Sequence, residues 1–139
     1  MQFAKLKSSL IGQKQNNKFI MEKELLSTVL QISGQLRILH WQTESFAEHN
    51  AFGDTYESLN DKFDRLIEVY SGKYKRPAFG EVKQLSFADY SNLKIDAFIE
   101  GMCDFFSEAF MAQQDAELAN LRDEIIADLN KLKYLLTLK

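Results

Sequence analysis

Residues 40–72 read HWQTESFAEHNAFGDTYESLNDKFDRLIEVYSG. From Ala51 to Gly72 the apolar side chains Phe52, Tyr56, Leu59, Phe63, Leu66 and Tyr70 recur at steps of three and four. At about 100° per residue they fall on one narrow stripe, so the segment is an amphipathic helix that ends near Gly72. The same stretch holds the only two histidines of the chain, His40 and His49. Asp64 and Glu68 lie one helical turn apart on a flank of the stripe, where their carboxylates can share an ion. Imidazole with carboxylate is a ligand set for iron, manganese or zinc.

Each of these residues has an ordinary reading when taken singly. His40 sits on the edge of an apolar helix face, His49 near a helix start, and acid pairs at this spacing are common on wet faces. The four together, beside Trp41, point to a metal site. One helix cannot close it. His49 precedes Asp64 by 15 residues, roughly 22 Å at about 1.5 Å of rise per residue. Two copies packed antiparallel about a two-fold axis near Glu57 would bring the halves together. That arrangement makes two equal sites, each with histidines from one chain and carboxylates from the other.

Working outward, Leu25, Val29, Ile32, Leu36 and Leu39 share one face of a helix expected over about Lys18 to Thr43. Gly34 within it weakens the helix by about 1 kcal/mol relative to Ala and marks close packing. A continuous helix through 40–49 would put the two histidines half a turn out of phase. The pattern therefore requires a bend near Thr43 to Ser45, where Ser45 and Glu48 have capping-box spacing. Beyond Gly72 a connection of about 20 residues contains Pro77 and Gly80; an irregular loop of that length is unusual, and a short helix is expected near Phe87 to Ser91. A third helix is expected from about Lys94 to Ala112, with Ile95, Phe98, Ile99, Met102, Phe105, Phe106 and Phe110 on its apolar face. Asp115 is a good N-cap for a fourth, which buries Leu118, Leu121, Ile125, Leu129, Leu132 and Leu136. Helix, helix, long crossover, helix, helix is the order of a ferritin-like, all-α four-helix bundle.

Bulk properties agree. The chain has 139 residues, 45% of them hydrophobic, with one proline and six glycines. That is one domain with enough apolar material for a full core and too few turn formers for an all-β fold. Neither a membrane span nor a signal peptide is evident. Cys103 is the only cysteine, so no internal disulfide can form, and a reducing, cytoplasmic setting is expected. Net charge is −3, but Lys5, Lys7, Lys14 and Lys18 stand without an acid in residues 1–20, against 13 basic and 20 acidic residues in the remainder. Residues 1–17 therefore read as a flexible basic arm on an acidic bundle spanning 18–139. The arm is the chain's one DNA-binding candidate, through salt-sensitive phosphate contacts. Asp96, Glu100, Asp104 and Glu108 read as a solvated face. Asp123, Glu124 and Asp128 fit either an ion-entry pore or an ordinary exposed face. Trp41, Tyr56 and Tyr70 are expected to pack, Trp41 also serving to scavenge oxidising equivalents.

The His40-Trp41 dipeptide, His49 and the Asp64/Glu68 pair resemble the metal-binding pattern of the Dps family, the mini-ferritins or DNA-binding proteins from starved cells. The likeness spans about residues 20–139 in helix order and length and is sharp only across Leu39 to Glu68. The junction at residues 43–49 resembles a short-loop, phage-like variant. The resemblance implies an iron-oxidising site between subunits with His40, His49, Asp64 and Glu68 as metal ligands, a dodecameric hollow shell, and iron storage within it, using peroxide or oxygen as oxidant. The chain departs from the family in three ways: the interval between the histidines is a few residues shorter, the usual loop glycine is missing, and Gly53 stands where an acid is often found. The Glu-x-x-His pattern of true ferritins is absent. The competing expectation is a non-catalytic ferritin-like scaffold, or a DNA-associated or virion structural protein with a decayed metal site.

Overall fold

The computed structural model describes residues 17–80, 84–109 and 115–138. The basic arm falls outside them except at Asn17, where the first helix begins. The fold is an all-α four-helix bundle: α1 (Asn17–Gln42), α2 (Phe46–Lys73), α3 (Ile95–Glu108) and α4 (Ala116–Leu135), with a 3₁₀ turn at Tyr90–Asn92 in the crossover between α2 and α3. Among the described residues there is no strand, and no helix is long and apolar enough to cross a membrane. The helix α2 packs on both α1 and α4, and α4 packs on α3.

The apolar stripes close on one another as their spacing requires. The α1 residues Leu25, Val29, Ile32, Leu36 and Leu39 are all buried, as are Phe52, Leu59, Phe63, Leu66 and Tyr70 of α2. From α3 come Phe98, Ile99, Met102, Phe105 and Phe106, and from α4 Leu118, Leu121, Ile125, Leu129 and Leu132. Aromatic packing ties the layers: Phe63 stacks on Phe106 at 5.8 Å, and Phe106 meets Phe105 edge-on at 5.2 Å. Leu136 and Tyr56 are only partly buried against this core. Phe110 lies outside the described residues.

Some expectations shift in detail. The third helix ends at Glu108 instead of running to Ala112, with the Arg122 guanidinium donating to the Ala109 carbonyl at 2.8 Å. Asp115 does stand at the N-cap of α4, but its side chain makes no cap hydrogen bond. Its buried carboxylate instead pairs with Lys73 at 2.7 Å and accepts from the Tyr74 hydroxyl, joining the end of α2 to the start of α4. These partners push the Lys73 ammonium and the Tyr74 phenol above their usual ranges. Asp128 accepts from Ser58 at 2.6 Å and pairs with Lys62 at 2.7 Å, joining α4 to the middle of α2. Glu100 of the acid ladder is paired with Lys133. The Cys103 thiol is half-buried on α3, and burial raises its pKa, as expected of a packing residue rather than a nucleophile.

Apart from its 3₁₀ turn, which lies at Tyr90–Asn92 instead of Phe87 to Ser91, the described part of the crossover has no regular secondary structure from residue 75 to 89. Three glutamines of α1 hold it as a strap. The Gln31 amide accepts from Ser86 N–H and donates to the Ser86 carbonyl; Gln35 does the same to Ala88 at 2.9 and 2.8 Å. Gln42 accepts from Tyr90 N–H at 2.7 Å and donates to the Asp89 carboxylate at 2.8 Å. Gln31 and Gln35 are almost fully buried, and buried amides need this kind of complete pairing. Between the first two clamps Phe87 turns inward onto Gly34, where a Cβ would lie 2.6 Å from its ring. Close packing at Gly34 is thus borne out, with the strap as the partner.

Candidate metal centre

The junction between α1 and α2 is the bend that the half-turn mismatch required. Helix α1 stops at Gln42 and α2 starts at Phe46. Ser45 caps α2 by accepting from Glu48 N–H at 3.2 Å, which is half of the anticipated capping box. The other half differs. The Glu48 carboxylate does not reach back to Ser45 N–H, which donates to the Thr43 hydroxyl at 3.1 Å. One Glu48 oxygen instead accepts from the Thr43 hydroxyl at 2.6 Å and the Tyr90 phenol at 2.7 Å. The bend and the strap are therefore fastened together at Glu48. The same bond to a carboxylate raises the Tyr90 pKa.

The bend brings the two histidines face to face. Their rings stack with centroids 3.8 Å apart and planes 17° from parallel. Each Nδ1–H donates to the other residue's backbone carbonyl: His40 to the His49 oxygen at 2.6 Å, His49 to the His40 oxygen at 2.8 Å. A carbonyl only accepts, so this pairing places a proton on Nδ1 in both rings and leaves Nε2 as the ring nitrogen open to another partner. Among the described residues neither Nε2 has a hydrogen-bond partner. A histidine that anchors one nitrogen on a carbonyl and presents the other is the usual form of a metal-bound imidazole.

Gly53 and Tyr56 complete the pocket around His40. The Tyr56 ring meets His40 edge-on at 5.4 Å and carries the Arg37 guanidinium on its face at 4.9 Å. A Cβ on Gly53 would stand 2.8 Å from His40 Cε1 and 3.0 Å from Nδ1. The shortened junction thus lays the His40 ring where a side chain at 53 would go. This gives a physical reason why an acid cannot occupy that position here. Gly53→Ala is expected to leave helicity intact, since Ala favours a helix by about 1 kcal/mol over Gly. It should weaken Zn(II) binding by roughly 10- to 100-fold through displacement of His40. Calorimetric titration reads the effect, and an unchanged affinity would mean that the ring position does not matter.

The carboxylate half is elsewhere. Asp64 and Glu68 are both exposed on α2, and neither is drawn into a hydrogen bond or ion pair among the described residues. Helix α2 is unbroken from Phe46 to Lys73, so the rise of about 1.5 Å per residue still puts roughly 22 Å between His49 and Asp64. Among the described residues no three His, Cys, Asp or Glu side chains converge within the chain. The structure unites His40 with His49, and leaves Asp64 with Glu68 as a separate pair.

Trp41 departs from its expected packing role. It is 68% exposed, and Phe46, at the other side of the bend, is 78% exposed. Sequence reading also missed the contacts that Thr43, Gly53 and Tyr90 make around the bend. The first and last were hidden because their roles depend on where the crossover lands. Gly53 could have been found from the shortened interval, which forces His40 toward the next turn of α2.

A protein-family model, DUF5856, described as a family of unknown function, matches residues 40–136, a span that starts at His40 and contains all four candidate ligands. No curated protein and no solved structure matches the chain.

Proposed function

The chain belongs to the DUF5856 family, whose function is unknown, and we propose that it is a Dps-like ferroxidase and iron-storage protein with its site shared between two subunits. The observation that carries this reading is the reciprocal pairing of His40 and His49, which leaves two stacked imidazoles each with a free Nε2. Support for sharing comes from the unbroken α2, which holds the unpaired Asp64 and Glu68 too far along the same rod to join them. A two-fold mate supplies what is missing, and closed homo-oligomers make such isologous contacts routinely. The shell is twelve chains, in the cytoplasm.

Fe(II) is the substrate. Neutral imidazoles bind it without excess charge, and the hard carboxylate oxygens of Asp64 and Glu68 favour Fe(III) once an electron has left. Two Fe(II) ions give one electron each to hydrogen peroxide; its O–O bond breaks and two hydroxides result. With dioxygen, four electrons and four protons yield two waters. The ferric product passes to the shell interior and is held as mineral.

The test is Fe(II) oxidation with peroxide, followed by ferric absorbance. Wild-type protein is expected to outrun buffer and to keep the product in solution. A rate equal to buffer would leave only the scaffold reading.

A further inference from the structure

A shallow apolar groove runs between α1, α2 and the strap. It is lined by Leu30, Gly34, Phe63, Leu85 and Phe87, with Asp64 on its wall. Leu30 is 49% and Phe87 45% exposed, although both are large and apolar. We infer that this groove receives Trp41 of the partner subunit, so that one insertion both locks the dimer and sets the histidines of one chain over the carboxylates of the other. The inference rests on the shared-site reading and adds to it a specific seat.

The register of the two helices selects the occupant. Ser33 contacts Asn60, and His40 lies on Gly53. Paired positions of the antiparallel α1 and α2 therefore add to about 93, which sets Trp41 level with Phe52. A two-fold axis near Glu57 carries that level to about residue 62 of the mate, in the middle of the groove between Asn60 and Asp64. Phe46 is carried instead to the level of Glu68, beyond the groove. The histidine levels, near 49 and 53, are carried to about 61 to 65, beside Asp64. The seat and the metal site thus demand the same axis.

Size and chemistry agree. Helices of this length make a two-helix face roughly 40 Å long and about 20 Å wide, near the ~800 Å² that a standard interface needs per partner. An indole buries about 200 Å² and is the commonest kind of anchor for such a contact. It also has an N–H to place, and Asp64 stands on the groove wall as an acceptor.

Trp41 is the only tryptophan, so its fluorescence, excited where tyrosine is silent, reads the seat directly in the full-length chain without metal. As concentration rises through the monomer–dimer range, emission is expected to move to the blue and acrylamide quenching to fall. Leu30→Asp, at an exposed position that leaves the bundle core untouched, should raise the dimer dissociation constant at least about tenfold and keep Trp41 open to quencher. Two outcomes overturn the inference in distinguishable ways. A dimer in which Trp41 stays as open to quencher as in the monomer, or which Leu30→Asp does not weaken, removes the seat alone. A chain that remains monomeric at every concentration removes the shared site as well.

Discussion

Asp64→Ala is expected to bring peroxide-driven Fe(II) oxidation down to the rate of buffer while leaving the protein as stable as before. The side chain is exposed and unpaired in the monomer, and surface changes of this kind usually move stability by no more than about 0.5 kcal/mol. Loss of a residue that merely orients a ligand already costs about 10- to 100-fold, so loss of a ligand should exceed that. His49→Ala should abolish the reaction equally, but it also removes the ring stacked on His40 and the donor to the His40 carbonyl. His49→Gln separates the two effects, because the amide can still donate to that carbonyl but cannot replace the imidazole. Retained helicity with lost oxidation is the expected result for all three. Full oxidation by Asp64→Ala would remove the carboxylates from the site.

The largest structural effect is expected at Phe106. It is fully buried, stacked on Phe63 of α2 and edge-on to Phe105. Truncation to Ala leaves a cavity at the point where α3, the shortest of the four helices at 14 residues, is tied to the rest. The cost should be about 3–5 kcal/mol, a large share of the roughly 5–15 kcal/mol that holds a domain. Urea unfolding followed by circular dichroism gives the figure. A loss below about 1 kcal/mol would mean that the site has relaxed or that α3 is loosely docked.

The helices and the bend were legible because both follow from periodicity. Apolar residues at three- and four-residue steps from Leu25 to Leu39 and from Phe52 to Tyr70 leave no other face to bury, and placing His40 and His49 in one site called for a break between them. The strap was not legible. Gln31, Gln35 and Gln42 look like ordinary polar helix positions, and only the path of the crossover turns them into clamps. Asp115 and Asp128 show the same limit: spacing places an acid on a helix but does not say which cation or hydroxyl another helix brings to it. Trp41 was misjudged because hydropathy predicts that an aromatic residue will be covered, and nothing in its spacing says that the bend leaves it bare. The two histidines were legible as candidates from the sequence, whereas their stacking and the Nδ1 bonds to each other's carbonyls appear only with the fold.

The most direct test of the shared site is complementation between dead variants. A His49→Ala chain and an Asp64→Ala chain, refolded together in equal amounts, form mixed dimers in which one of the two sites has wild-type histidines from one chain and wild-type carboxylates from the other. Half of randomly assorted dimers are mixed, so the mixture should recover about a quarter of the wild-type oxidation rate, although neither variant alone exceeds buffer. A site contained within a single chain recovers nothing on mixing, and a mixture no faster than its parents would contradict the account.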